Sequence, residues 1–196
     1  MTVLEDRIAM AESDNTSWLD EMFERLEKMP VPEGYKVEIV EGTVYMSPQR
    51  DVHWETILLI IDAARDRFGR RSKVFSDVRI DFPGYKNGLA PDVAKLRDGS
   101  TKDAEGRWRH QDVEFIAEVI SKDTAMNDYG PKKTAYALAE VPVYLIADPY
   151  VGKCRLFTQP KDGDYVSDLS ITYGGDVDMT MTLLDLTLKT DEFPRD

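Results

Sequence analysis

Cysteine occurs once in this chain and histidine twice, and no apolar run comes near the roughly 20 residues that a membrane-spanning helix needs. The single Cys154 cannot close an internal disulfide, so the fold is expected to hold without covalent staples in a reducing compartment. The start of the chain shows neither the basic nor the apolar region of a secretory signal. Together these absences lead to the expectation of a soluble, cytoplasmic protein with no membrane partner. Positive charge is also in deficit: 25 Lys and Arg face 37 Asp and Glu, a net charge of −12. That balance argues against a general polyanion binder, whose grip on phosphates depends on Lys and Arg, although local charge counts for more than the sum. Internal repeats and low-complexity tracts are missing as well.

What is present is ordinary globular material. With 42% apolar and 32% charged residues the chain is too apolar to be disordered, and 196 residues suit one domain with a core of its own. Residues 1–15 are polar without a sustained period and read as a flexible N-terminal arm, leaving 16–196 as a single domain. Two local basic clusters stand out against the acidic whole. One comprises Arg65, Arg67, Arg70, Arg71 and Lys73; the other lies in the loop or hairpin tip from Arg97 to Gln111. Each reads either as a solvated face or as a substrate contact.

Periodicity places the elements. Thr16 or Ser17 caps a helix to about Lys28, with Leu19, Met22, Phe23 and Leu26 on one face, and Pro30 to Gly34 break it. Val37 to Met46 reads as a hairpin turning at Glu41-Gly42, and His53 to Phe68 as a helix with Trp54, Leu58, Ile61 and Phe68 inward. Val74 to Phe82 reads as one strand with a turn after it at Asn87-Gly88. Asp92 to Leu96 and Val113 to Ile120 are further strands. Asn127 or Asp128 caps a helix to about Glu140. Val143 to Asp148 follows as a strand, parallel to its neighbour through a right-handed crossover. More strands and turns at Gly163 and Gly174-Gly175 complete the chain.

The chemistry concentrates in three places. On the strand from Val113, Glu118 shares a face with Ile116 and Ile120, so its carboxylate is flanked by apolar groups. An unpaired carboxylate there costs several kcal/mol, so it calls for either a structural Lys or Arg or a metal. Pro91-Asp92 supplies a second carboxylate at a strand start, as a turn residue or as a ligand. Lys132 lies in the first turn of a helix, where the macrodipole disfavours a cation by roughly 0.3–1 kcal/mol, so an anionic neighbour is expected. Tyr136 stands one turn further along the same face. His53, at a helix start, reads as a cap, a surface residue or a group lining the site.

These residues form an order that resembles a known family. Pro91-Asp92, Glu118-Val119-Ile120-Ser121, Asp128 with Lys132 and Tyr136, Val141, Tyr144 and Asp148-Pro149 are similar to the Uma-two family of restriction-type endonucleases, in the PD-(D/E)xK nuclease superfamily. The upstream run Gly34 to Gly42, then Ser47-Pro48 and His53, resembles that family's opening motif, and the likeness spans about residues 30 to 160. It implies an α/β (α+β) fold, a restriction-endonuclease-like mixed β-sheet flanked by helices. It further implies that Asp92 and Glu118 hold Mg²⁺ (Mn²⁺ as a substitute), with the Val119 carbonyl as a further metal ligand. The lysine of the superfamily's ExK signature falls at Ile120, so Lys132 is taken to substitute for it. Glu38 matches an acidic position of the family and either ligates or orients a ligand. Leu145 and Glu140 depart from the family's usual aromatic and glycine, changes that touch packing.

The implied activity is metal-dependent hydrolysis of DNA phosphodiester bonds by Asp92, Glu118 and Lys132, with Glu38, His53 and Tyr136 accessory, by a homodimer if both strands are cut. Two rival classes stay open. One is a non-catalytic module that binds nucleic acid or protein, and the other a hydrolase of small phosphoesters.

Overall fold

The computed structural model describes residues 3–29, 35–48, 50–122 and 124–196, so the expected Pro/Gly break at 30–34 lies outside the described residues. The first helix, α1 (Val3–Glu27), starts well before Thr16 and carries helical backbone through the segment expected as a loose arm. Nothing between residues 3 and 29 is glycine or proline, so no residue interrupts it. Its expected inward face is present: Leu19 and Leu26 are buried, and Met22 and Phe23 pack with Val37, Ile39 and Val44.

Strands β1 (Tyr35–Val40) and β2 (Thr43–Pro48) form the expected hairpin. Its two-residue loop places Glu41 and Gly42 at φ 48° and 77°, the left-handed pair that matches strand twist. Helix α2 (Asp51–Phe68) follows, but its buried stripe is Ile57, Ile60, Ile61 and Ala64, while Trp54 and Leu58 are exposed. Residues 57–61 are apolar all round the helix, so periodicity alone could not orient it.

The expected strand from Val74 to Phe82 is two: β3 (Val74–Phe75) and β4 (Ile80–Phe82), which enter different sheets. Asp77 breaks them apart at φ 56°, with its N–H donating to the Pro91 carbonyl at 3.0 Å. Asn87-Gly88 is not a turn but part of β5 (Asn87–Leu89). The chain reverses one step earlier, where the Asn87 amide donates to the Pro83 carbonyl and its oxygen accepts the Glu41 N–H, both at 2.9 Å. Gly88 lies under α1: a Cβ there would stand 2.6 Å from Phe23 Cε2 and 3.2 Å from Leu19 Cδ2. Gly88→Ala is therefore expected to cost about 1–3 kcal/mol through overpacking. Thermal unfolding checks it, and an unchanged midpoint would show that α1 is not pressed on the hairpin sheet.

The remaining elements are β6 (Val93–Leu96), β7 (Trp108–Arg109), a 3₁₀ turn (His110–Asp112), β8 (Val113–Val119), α3 (Ala125–Tyr129), α4 (Pro131–Leu138), β9 (Val143–Asp148), β10 (Lys153–Lys161), β11 (Asp164–Thr172), β12 (Asp176–Asp178) and β13 (Thr187–Lys189). A six-stranded sheet runs β11-β10-β9-β8-β6-β3, and a five-stranded sheet runs β2-β1-β5-β4-β7. Strands β8 and β9 are parallel, as the intervening helices require; their neighbours pair antiparallel. Alternation along β8 sends Phe115, Ala117 and Val119 to the α2 side and Ile116 and Ile120 to the α4 side. Glu118 falls on that second face, toward α4 and the five-stranded sheet. Cys154 is buried in the first of these cores, its thiol pushed up to about 12 by burial, as expected of a structural cysteine.

Candidate active site

The site forms where β6 and β8 run side by side. Their antiparallel register, Val93 opposite Ala117, brings Asp92 level with Glu118. The two acids are locked to one another's backbone. The Asp92 N–H donates to Glu118 Oε2 at 3.2 Å, and the Val119 N–H donates to Asp92 Oδ2 at 2.7 Å. Both carboxylates are almost fully buried, at 2% and 1% exposure.

Three other elements close around them. From β1, Glu38 accepts the Ala90 N–H at 2.9 Å, and Lys36 donates to Asp92 Oδ1 at 2.7 Å. From the first turn of α2, His53 Nε2 lies 3.2 Å from Asp92 Oδ2. From α4, Lys132 reaches Glu38 at 2.9 Å, Glu118 Oε1 at 3.0 Å and Asp128 at 3.0 Å. The Tyr136 hydroxyl donates to Glu118 Oε1 at 2.5 Å.

The expected helix from Asp128 to Glu140 is broken at Gly130, whose φ −120° and ψ −104° separate α3 from α4. A Cβ on Gly130 would come within 2.9 Å of the Met126 carbonyl. Asp128 is therefore not an N-cap. It belongs to α3, and the break lets Pro131 start α4 with Lys132 in its first turn, facing the Asp128 carboxylate.

Every residue singled out from the sequence converges here: Asp92, Glu118, Val119, Lys132, Glu38, His53 and Tyr136. The sequence reading missed Lys36 and gave Asp128 the wrong task. Lys36 and Glu38 are two apart on a strand whose other face, Val37 and Ile39, packs on α1; two opposite charges on one inward face were the available signal. The basic clusters fall elsewhere. His53 opens α2 and Arg65 lies near its far end, about 18 Å away at 1.5 Å per residue. In the loop, Arg107 is paired with Asp20, Asp103 and Glu105, and Arg97 and Arg109 with Asp112.

Electrostatics follow from burial. Glu38, Asp92, Glu118 and Asp128 face Lys36 and Lys132, with Asp77 also beside Lys36, so acids outnumber amines. Burial pushes Glu118 up to about 8, Asp92 and Asp128 adding to it against Lys132 and Lys36. Burial works against ionised Asp92 too, but Lys36 and the hydrogen bond to His53 hold its carboxyl far below the usual range. For Lys132, burial opposes the charge and is overcome by Asp128, Glu118, Glu38 and Asp92, so the amine stays protonated. It is no general base. His53 is raised, its burial outweighed by Asp92.

A pH dependence follows. An unfolded glutamate titrates at about 4.3, so from there to about 8 the folded chain keeps a proton on Glu118 that the unfolded chain has released. This stabilisation is complete below about 4.3 and is lost as pH rises through about 8; the raised His53 adds to it in the same sense. Unfolding midpoints should fall between about pH 5 and pH 9, more steeply for the wild type than for Glu118→Gln. Parallel slopes would mean Glu118 is not the protonated group.

Among the described residues, no group of three or more His, Cys, Asp or Glu side chains is arranged to hold a metal ion. The donor chemistry nonetheless fits a hard divalent cation. Asp92 and Glu118 offer carboxylate oxygens side by side, the hard donors that such an ion takes.

Paired acids on adjacent strands of a mixed sheet, with a lysine from the following helix, define a restriction-endonuclease-like α+β protein. The chain belongs to the Uma2 family, described as "Putative restriction endonuclease", which matches residues 20–190. A solved structure from Anabaena variabilis, titled "a putative nuclease belonging to DUF820", is similar in fold. Its TM-score is 0.67 at 14% identity, over 89% of this chain and 96% of that one. No curated protein matches. No helix among the described residues is long and apolar enough to cross a membrane.

Proposed function

We propose that this protein is a metal-dependent endonuclease that hydrolyses phosphodiester bonds of DNA. The observation that carries the reading is the convergence of Asp92 and Glu118, from separate strands, within one hydrogen bond of each other and with Lys132 on Glu118. Asp92 and Glu118 are the residues that would hold Mg²⁺ or Mn²⁺, with the Val119 carbonyl beside them; bound there, the ion supplies Lewis-acid polarisation of a phosphate and a water of lowered pKa. Lys132 holds Glu118 in place and contributes fixed positive charge against the charge developing on phosphate. Tyr136 fixes the same carboxylate oxygen, and Asp92 fixes His53 at the cleft.

Conversion of supercoiled plasmid to nicked or linear forms with Mg²⁺, stopped by a chelator, tests the activity. Folded protein that leaves plasmid intact at every Mg²⁺ and Mn²⁺ concentration removes it. Since Arg70 and Arg71 follow the far end of α2, Arg70→Glu with Arg71→Glu should change DNA binding at low salt less than twofold; a larger drop would bring that cluster into the contact surface.

A second reading has an observation of its own. The buried acids are already met by two lysines, which suits a fold that keeps the charges for structure and binds a partner without cutting it. Turnover of small phosphoesters without any on DNA would point to the third class.

A further inference from the structure

The two carboxylates of the site are not equally engaged at both oxygens. Asp92 Oδ2 accepts the Val119 N–H and faces His53, and Glu118 Oε1 accepts from Lys132 and Tyr136. Glu118 Oε2 accepts the 3.2 Å hydrogen bond of the Asp92 N–H and Asp92 Oδ1 accepts from Lys36, one donor each. These two are therefore the pair most open to a shared cation, and both face Lys36. Its ammonium lies 2.7 Å from Asp92 Oδ1 and 3.6 Å from Glu118 Oε2. Glu38 Oε2 at 3.7 Å and Asp77 Oδ1 at 3.8 Å complete the surround. One nitrogen thus sees four acidic residues from four segments of the chain: β1, the Asp77 break, the start of β6, and β8.

We propose that the Lys36 ammonium and a divalent cation compete for the same carboxylate oxygens, so that a metal binds between Asp92 and Glu118 by displacing Lys36 toward the cleft. This rests on the metal-dependent reading above and deepens it. A Mg²⁺-sized ion needs its oxygens at about 2.0–2.1 Å. An ion at that distance from both oxygens lies too near the Lys36 nitrogen for two cations to share the space, with repulsion weakly screened at a buried site. Lysine suits the exchange. Its charge sits on a four-carbon stem with free torsions, so it can withdraw without moving β1, as a planar, bidentate guanidinium could less easily do. Lys132 does not take part, because it holds Glu118 by the opposite oxygen and stays when Lys36 leaves. The metal affinity of the site is therefore set by a residue that is not itself a ligand.

Calorimetric titration of Mn²⁺ into the wild type and Lys36→Met tests this. The expected result is at least about tenfold tighter binding by the variant, with the competing cation gone. Wild-type protein supplies a second measurement that does not depend on the variant folding. Acylation by an amine-reactive ester, mapped by mass spectrometry, should spare Lys36 without metal and modify it with saturating Mn²⁺. Equal affinities, or a Lys36 that stays protected while Mn²⁺ binds, overturn the exchange and leave the metal-dependent reading standing. Failure of both proteins to bind Mn²⁺ overturns the two together.

Discussion

Asp92→Ala and Glu118→Ala should each lose metal-dependent plasmid cleavage by roughly 10²–10³-fold or more, the scale seen when one electrostatic partner of a reacting group is removed. Each carboxylate supplies one of the two oxygens that face Lys36, so neither can stand in for the other. The geometry also says how to separate chemistry from folding. Asp92→Asn keeps an oxygen to accept the Val119 N–H and loses the charge shared with Lys36 and His53, its amide nitrogen replacing the oxygen that accepts from Lys36. It should fold, as circular dichroism would show, and still be inactive. Activity undiminished in both alanine variants would remove the proposed mechanism, whatever else the protein does.

Lys132→Met should cost on the order of 3–5 kcal/mol of stability, the usual penalty for removing one partner of a buried ion pair. Lys132 is only 4% exposed and touches Glu38, Glu118 and Asp128, so its loss leaves three carboxylates without an amine among them except Lys36. For a chain of this size that is a fall of roughly 6–20 °C in the unfolding midpoint. Lowering the pH should recover part of it, because protonation of Asp128, raised by burial, removes charge that Lys132 had balanced, Glu118 already holding its proton. A midpoint within about 2 °C of the wild type at neutral pH would show that the network is not what holds α4 to the sheet.

The parts of the fold that were legible in advance are those governed by local rules. The Glu41-Gly42 hairpin, the inward face of α1, the strands carrying Asp92 and Glu118 and the parallel crossover to β9 follow from turn chemistry and periodicity. The misreadings share a cause. Trp54 and Leu58 were expected inward because an all-apolar helical run has no preferred face until the sheet is in place. The stretch from Val74 to Phe82 alternates like one strand, yet Asp77 turns left-handed because the Pro91 carbonyl waits there, a partner remote in sequence. Gly130 divides a helix that composition alone would run through.

For the site, the chain's own pattern determined which residues carry charge where charge is expensive: Glu118 amid a buried strand, Asp92 behind its proline, Lys132 at the wrong end of a helix dipole. Each is a local cost visible without coordinates, and each demanded a partner. Only the tertiary structure decided who the partners are. Lys36 and Glu38 arrive from a different sheet, His53 from α2 and Asp128 from across the Gly130 break, and which oxygen of each acid is already taken depends on contacts between segments remote in sequence. Coulomb and hydrogen-bond energies fall off over a few ångströms, so the identity of the neighbour, and with it the difference between a salt-bridged core and a cation site, exists only once the chain has folded.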